Sequence, residues 1–219
     1  MIDLTEFRSR INSFPQPYME NFDYLWKWKI RTENEVTHIL DTNHREETYR
    51  RLCEVLPKWQ TYRNGGNANP LETLRESLRN ISKVYNQIRS YTLLEFDNVS
   101  HESLEIIWKE LGRVKEFNGN TNERGHYSII SVCKPLLLMW GQTLAFDSRV
   151  REHCPRSYGV PRYFSKWTLR EWISVMHEFS RHLNNNIDCI EALRNESERR
   201  YGHNFIVPYG RFLDIYYWV

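Results

Sequence analysis

The chain has 219 residues, of which 40% are hydrophobic and 26% are charged, a composition typical of globular proteins. Its formal net charge is only +2, so strong overall basicity is excluded and any nucleic-acid surface must be a local patch. No apolar run approaches the length of a membrane span, and the first residues lack the basic start and apolar core of a secretory signal. The four cysteines are widely spaced without a CxxC pair, which argues against a zinc knuckle or a dense disulfide framework and predicts a reducing, cytoplasmic location.

Apolar residues recur at every third or fourth position through most of the first half of the chain, which is the spacing of helices. The helices predicted there span residues 18–30, 35–56 (as one or two helices interrupted near 41–43), 70–88 and 100–111. Pro57 ends the second of these patterns, because proline interrupts the helical hydrogen bonding. Asn69 is expected to cap the helix that begins at Pro70.

The second half continues this pattern, with helices predicted over residues 129–140, 168–193 and 210–219. Pro135 must sit in the first turn of its helix or kink it, and Thr168 with Glu171 forms a capping-box pattern. No repeat and no convincing strand alternation is present. The predicted class is all-α, a compact multi-helix fold. It is expected to form one globular domain over residues 1–219, with two helical lobes around a cleft near residues 112–160 as the alternative.

Asp147 follows an apolar run and precedes a segment that carries two arginines, and it is the only carboxylate between Glu123 and Glu152. A single acid at a helix start beside basic residues suits chemistry on an anionic substrate. There it would orient a water molecule or stabilise positive charge that develops on a sugar. The alternative is an ordinary N-cap of a helix that runs through Val150.

The segment from Phe146 to Arg151 resembles the end of the active-site motif of the helix-hairpin-helix DNA glycosylases, with matches at Phe146, Asp147, Val150 and Arg151. The resemblance implies an all-α, glycosylase-like fold and makes Asp147 the essential carboxylate. It also implies a role for Lys134, because some members carry an upstream lysine that attacks the sugar. Lys134 lies closer to Asp147 in sequence than the family's lysine does to its acid, and the family's Leu-Pro-Gly-Val-Gly hairpin has no match. Hydrolysis without strand cleavage is therefore expected, with Lys134 assisting electrostatically; snorkelling from the helix start is the alternative.

Removal of a base requires the target nucleotide outside the duplex, stacked in a pocket. The aromatic candidates for the pocket walls are Trp140, Phe146, Tyr127, Tyr209 and Phe212, with core packing as the alternative for each. The candidates for DNA binding are the cations Arg149, Arg151, Arg156, Arg162 and Lys166, which fit a phosphate-tracking surface, and Asn118 and Asn120 of a polar loop that would insert into the duplex. Arg211 and Asp214 are one turn apart, which predicts an ion pair at the surface.

The predicted function is that of a DNA glycosylase-like enzyme. It would hydrolyse the N-glycosidic bond of a damaged or modified base, in DNA repair or in anti-phage defence, with double-stranded DNA carrying one flipped nucleotide as its partner. No cofactor, metal, membrane or obligatory protein partner is expected. His177 and His182 do not form a zinc-binding pair, because they are five residues apart and do not share a helix face. The alternatives are a non-catalytic helical nucleic-acid-binding module and a HEPN-type ribonuclease built on Arg31 and His38.

Overall fold

The computed structural model describes residues 4–62, 67, 69–115, 126–162, 166–201 and 207–219. Within that part of the chain the regular structure consists of ten α-helices, two short 3-10 helices at Leu93–Asn98 and Arg156–Tyr158, and two strands of two residues each. The helices are α1 (Leu4–Ser13), α2 (Gln16–Thr32), α3 (Arg45–Val55), α4 (Pro70–Ile88), α5 (His101–Gly112), α6 (Ile129–Trp140), α7 (Ser148–His153), α8 (Leu169–Asn184), α9 (Ile187–Tyr201) and α10 (Tyr209–Trp218). The prediction of an all-α protein is confirmed, although β1 (Tyr127–Ser128) and β2 (Lys166–Trp167), which had no signal in the sequence, form one antiparallel pair.

Of the one or two helices expected over residues 35–56, the part after the predicted interruption near 41–43 is confirmed as α3, whereas the part before it is not helical. The segment before it forms bends and turns in which side chains bind the backbone. Asn34 accepts hydrogen bonds from the amides of residues 36 and 37, and Asp41 accepts them from those of residues 43 and 44. Such local bonds compete with helical hydrogen bonding. Val36, one of the residues that suggested the helix, is 86% exposed.

The long helix expected from Thr168 to Leu193 is instead two helices, α8 and α9. Its capping box is confirmed: the Thr168 hydroxyl accepts from the Glu171 amide at 3.2 Å, and the Glu171 carboxylate accepts from the Thr168 amide at 2.7 Å. The break lies at three consecutive asparagines. The side-chain amides of Asn184 and Asn186 donate to carbonyls one turn earlier, which favours termination of the helix.

Helix α6 forms the centre of the fold and contacts α2, α5 and β1. It is buried along nearly its whole length, and Pro135 lies at its seventh position, beyond the first turn. Gly141 ends α6 with a left-handed φ of 77°, and a Cβ atom there would lie 2.5 Å from the ring of Pro208. Its carbonyl accepts a hydrogen bond from the Arg211 amide at 3.1 Å, so the end of α6 is joined to the first turn of α10.

Helix α10 packs against the segment that joins α6 to α7. A Cβ atom on Gly210 would lie 2.4 Å from the backbone of Thr143, so only glycine permits this close approach. The contact brings α10 beside α7 and the residue before it, Asp147. None of the helices in the described ranges combines the length and the apolar character needed to cross a membrane.

Candidate active site around Asp147 and Lys134

A pocket of about 460 Å³ opens between α6, α7, α10, the junction of α1 and α2, and the turn after α3. Its volume lies in the range of small-molecule binding sites. Its lining combines aromatic rings, cations and two carboxylates. The residues that line it are Phe14, Tyr18, Trp59, Gln60, Ile130, Lys134, Ala145, Asp147, Ser148, Arg149, Arg151, Arg211, Asp214 and Trp218. The structure therefore brings together both residues predicted as catalytic, Asp147 and Lys134.

Asp147 is at once the N-cap of α7 and part of the pocket lining. Its Oδ1 accepts from the Val150 amide at 3.1 Å, as the capping alternative predicts. Its Oδ2 accepts from the indole Nε1 of Trp218, also at 3.1 Å. An ionised carboxylate offers about four lone pairs, so each oxygen retains capacity for a further donor. The two bonds fix the plane of the carboxylate without using up its acceptors.

Lys134 projects from α6 into the pocket and is only 7% exposed. Its ammonium group donates to the Trp59 carbonyl at 2.5 Å, and among the described residues no carboxylate lies within ion-pair distance of it. Burial lowers the pKa of Lys134, while the negative charges of Asp147 and Asp214 act in the opposite direction. An amine that is desolvated in this way is more nucleophilic, and it retains two N–H groups for a ligand.

Arg211 and Asp214 form a buried ion pair, so the prediction of a surface pair was wrong. Their side chains are 1% and 2% exposed, and Arg211 Nη1 lies 2.7 Å from Asp214 Oδ2. Asp214 Oδ1 accepts from the Ala145 amide at 2.8 Å, and Arg211 Nη2 donates to the Tyr18 carbonyl at 3.1 Å. The i,i+3 spacing was sufficient to predict the pair, but its burial follows from the packing of α10 against three other segments. Burial raises the pKa of Asp214 to about 6, although the charge of Arg211 opposes the shift.

Two of the predicted DNA-binding cations line the pocket. The guanidinium of Arg149 is exposed and lies 4.5 Å above the ring of Trp218. Arg151 is 7% exposed and donates to the backbone carbonyl of Asp147 at 3.3 Å, and burial lowers its pKa. The structure places the other three cations outside the pocket lining: Arg156 and Lys166 are exposed, and Arg162 donates to the carbonyl of Cys154. Asn118 and Asn120 lie outside the described residues.

None of the aromatic residues expected at the pocket walls lines this pocket. Trp140, Phe146 and Phe212 are at most 1% exposed and belong to the core. Tyr127 packs edge-on against Trp108, and the Tyr209 hydroxyl donates to Glu191. The rings that do line the pocket are Phe14, Tyr18, Trp59 and Trp218. They come from segments far apart in the chain, and no local pattern links them to Asp147.

Two non-glycine residues in the described ranges have a left-handed backbone, one in the pocket lining and one directly before a lining residue. Gln60, with φ of 57°, lines it. Phe146, with φ of 50°, immediately precedes Asp147 and is held by the rings of Trp167 and Phe179. Such conformations cost about 1–3 kcal/mol each and persist where the surrounding packing determines them, often at functional sites. Within the described ranges, backbone strain of this kind therefore lies in the pocket lining at Gln60 and directly before the lining residue Asp147.

Replacement of Gln60 with glycine is expected to raise the free energy of unfolding by about 1 kcal/mol, because glycine adopts a left-handed φ without the Cβ clash. Urea denaturation measures the change. Gln60→Asn is the matched control and should give a smaller gain, since asparagine tolerates this region better than glutamine does. A lower stability of Gln60→Gly would contradict the assignment of strain to this residue.

The histidines do not form a comparable site in the described ranges. Arg31 is exposed in the last turn of α2, whereas His38 is buried 5.9 Å from the ring of Tyr85 and accepts from the Leu40 amide. Burial lowers the pKa of His38, and neither residue of this Arg/His pair lines the pocket. The described residues also hold no group of three side chains suited to a metal ion.

No protein-family model, curated protein or solved structure matches this chain. The chemistry of the pocket residues therefore carries the functional argument. The pocket combines a carboxylate held by two donors, a buried amine and four aromatic rings. Its lining also includes two buried arginines, Arg151 and Arg211, and the exposed Arg149. This arrangement suits an anionic, partly aromatic ligand on which positive charge develops during reaction.

Proposed function

We propose that this protein is an N-glycoside hydrolase that removes a damaged or modified base from DNA. The observation that supports this most directly is the convergence of Asp147 and Lys134 on one pocket with an exposed arginine, Arg149. It agrees with the resemblance of the segment from Phe146 to Arg151 to the active-site motif of the helix-hairpin-helix glycosylases.

Asp147 would act on the sugar. Cleavage of the N-glycosidic bond passes through an oxocarbenium-like state, in which positive charge develops at C1′. A carboxylate that already points into the pocket stabilises this charge without reorganisation at the moment of reaction. The remaining acceptor capacity of Asp147 would also orient the attacking water, whose oxygen bonds to C1′ as the base leaves with the bond electrons. The proton that the water loses passes to the Asp147 carboxylate and from there to the departed base.

Lys134 would act on the leaving base. Its ammonium group has two N–H donors beyond the bond to Trp59, and these would stabilise negative charge on the departing base. Its shifted pKa also makes the neutral amine more accessible for direct attack on C1′. We propose hydrolysis as the main reaction, so Lys134 assists electrostatically and forms no lasting bond to the sugar.

The substrate would be recognised through its two chemical parts. The rings of Tyr18, Trp59 and Trp218 offer aromatic surface on which an extruded base stacks. Arg149 and Arg151 lie where the flanking phosphates would pass, and guanidinium groups bind phosphate oxygens in a bidentate manner. The binding is then expected to weaken as the salt concentration rises.

The test is incubation of the protein with a panel of duplex oligonucleotides, each of which contains one modified base. Alkali treatment then cleaves the strand at any abasic site, and mass spectrometry identifies the released base. The proposal predicts alkali-dependent cleavage for at least one class of base. If the panel is bound but no base is released, the protein is instead a non-catalytic nucleic-acid-binding module, in which Asp147 is only a helix cap.

Replacement of Lys134 with methionine is expected to lower the rate of base release by about 10²-fold, because the leaving base loses its electrostatic stabilisation. The free energy of unfolding should stay within about 1 kcal/mol of the original. The cost of an orphaned Trp59 carbonyl is offset by removal of a buried charge. Lys109→Met, which changes an exposed cation outside the pocket, is the control for rate and stability. Sodium borohydride added during turnover should trap no protein–DNA adduct; a trapped adduct that requires Lys134 would show that the amine attacks C1′.

A further inference from the structure

Trp218 is the one aromatic lining residue that hydrogen-bonds to the proposed catalytic carboxylate in the described ranges. It lies in the last turn of α10, and its indole Nε1 donates to Asp147 Oδ2 at 3.1 Å. The other carboxylate oxygen is bound by the Val150 amide in the first turn of α7. The carboxylate of Asp147 is therefore held by donors from two different helices. Rotation about its χ2 torsion would break at least one of these bonds.

The indole itself is held on three sides. Its ring lies 5.2 Å from that of Phe14 in an edge-on arrangement and 5.6 Å from that of Tyr18 in a tilted one. The guanidinium of Arg149 covers the ring at 4.5 Å. Aromatic pairs and cation–π contacts of this kind each contribute to fixing a ring in one orientation. The N–H group that meets Asp147 is thus fixed by contacts that a phenyl ring would largely reproduce.

We propose that Trp218 is a positioning residue for the reaction: its N–H group aligns the Asp147 carboxylate with the sugar. This inference rests on the proposed function. Trp218 would act through Asp147 rather than on the substrate's reacting atoms. Its loss should lower kcat and leave KM nearly unchanged, because the stacking surface and Arg149 stay in place while the carboxylate loses its orientation.

The first arm of the test needs no activity. In ¹⁵N-labelled protein the indole N–H resonance of Trp218 should show slowed exchange with solvent, and Asp147→Ser, which keeps a capping hydroxyl, should abolish this protection. The indole resonance of Trp28, whose Nε1 donates to Thr48 Oγ1 at 3.2 Å, is the internal control and should not change. If the protection of Trp218 is the same in Asp147→Ser, the proposed link is wrong even if the protein proves to be a glycosylase.

The second arm measures base release. Trp218→Phe is expected to lower kcat by about 10-fold with KM changed less than about 2-fold, whereas the matched control Trp28→Phe should leave both unchanged. In the Asp147→Ser background, the same change at position 218 should have no further effect, since Trp218 acts through the carboxylate.

If Trp218→Phe does not fold, insertion of benzothienylalanine at position 218 preserves the bicyclic shape without the N–H group. A rise in KM alone, or additive effects of the two changes, would overturn the proposal and make Trp218 a stacking wall. If no base is released by any variant, the proposed function fails while the first arm still decides the link.

Discussion

Asp147→Asn is expected to lower the rate of base release by about 10³-fold or more. The variant replaces a full negative charge with a neutral amide, so the positive charge that develops at C1′ is no longer stabilised. In Asp147 the two oxygens accept separately from the Val150 amide and the Trp218 indole. The asparagine side chain has only one oxygen, so one of these two hydrogen bonds is lost. The affinity for uncleaved DNA should stay within a few-fold, because Arg149 and Arg151, the proposed phosphate-binding residues, are unaltered.

The stability of this variant distinguishes chemistry from capping. Asparagine is about as good an N-cap as aspartate, so α7 should keep its first turn and the free energy of unfolding should fall by no more than about 1 kcal/mol. The matched control is Ser100→Ala, which removes the N-cap of α5 at a site outside the pocket. That change should lower stability by about 1 kcal/mol and leave base release intact. A variant at Asp147 that is active, or one whose activity falls only in proportion to its stability, would reduce this residue to a helix cap.

Asp147 and Lys134, the proposed catalytic residues, were accessible to sequence analysis because their signals are local. Asp147 has the sequence pattern of an N-cap, and Lys134 is a charged residue inside the apolar run of α6. Each feature can be recognised from a few neighbouring residues in the sequence. Their meeting in one pocket follows from the short connection between α6 and α7. The capping box at Thr168 was predictable for the same reason. Signals that are completed within one or two turns of a helix do not depend on the tertiary fold.

The remainder of the pocket was not predictable, because it is completed by tertiary packing. Tyr18, Trp59 and Trp218 come from the start of α2, from the turn after α3 and from the end of α10. In sequence, each resembles any other aromatic residue on an apolar face. The close approach of Gly210 to Thr143, which brings α10 to the site, has no signature beyond a single glycine. None of the aromatic residues chosen from sequence lines the pocket, and Trp140, Phe146 and Phe212 belong to the core.

The buried ion pair of Arg211 and Asp214 gives the second large expected effect. Removal of one partner leaves an uncompensated charge in the interior, so Arg211→Met and Asp214→Asn should each lower the free energy of unfolding by about 3–5 kcal/mol. The free energy of unfolding of the double variant should fall by much less than the sum of the two single effects, because neither charge remains. The exposed pair of Lys109 and Glu105 is the control, and Lys109→Met should leave the free energy of unfolding nearly unchanged, because solvent screens an exposed pair.

The pH dependence of these variants tests the electrostatic cause. The folded pKa of Asp214 is raised to about 6, above its ordinary value of 3.8, so between these values the folded protein holds a proton that the unfolded chain has released. The contribution of this group to stability is therefore fully present below about pH 4 and is lost as the pH rises through about 6. Without Arg211 the carboxyl loses its ion-pair partner and its pKa rises further. Arg211→Met should therefore be less destabilising at pH 5, where Asp214 is largely protonated, than at pH 8. Equal losses at the two pH values, measured by urea denaturation, would mean that Arg211 stabilises the fold through its packing on the rings of Phe14, Phe22 and Trp59 rather than through its charge.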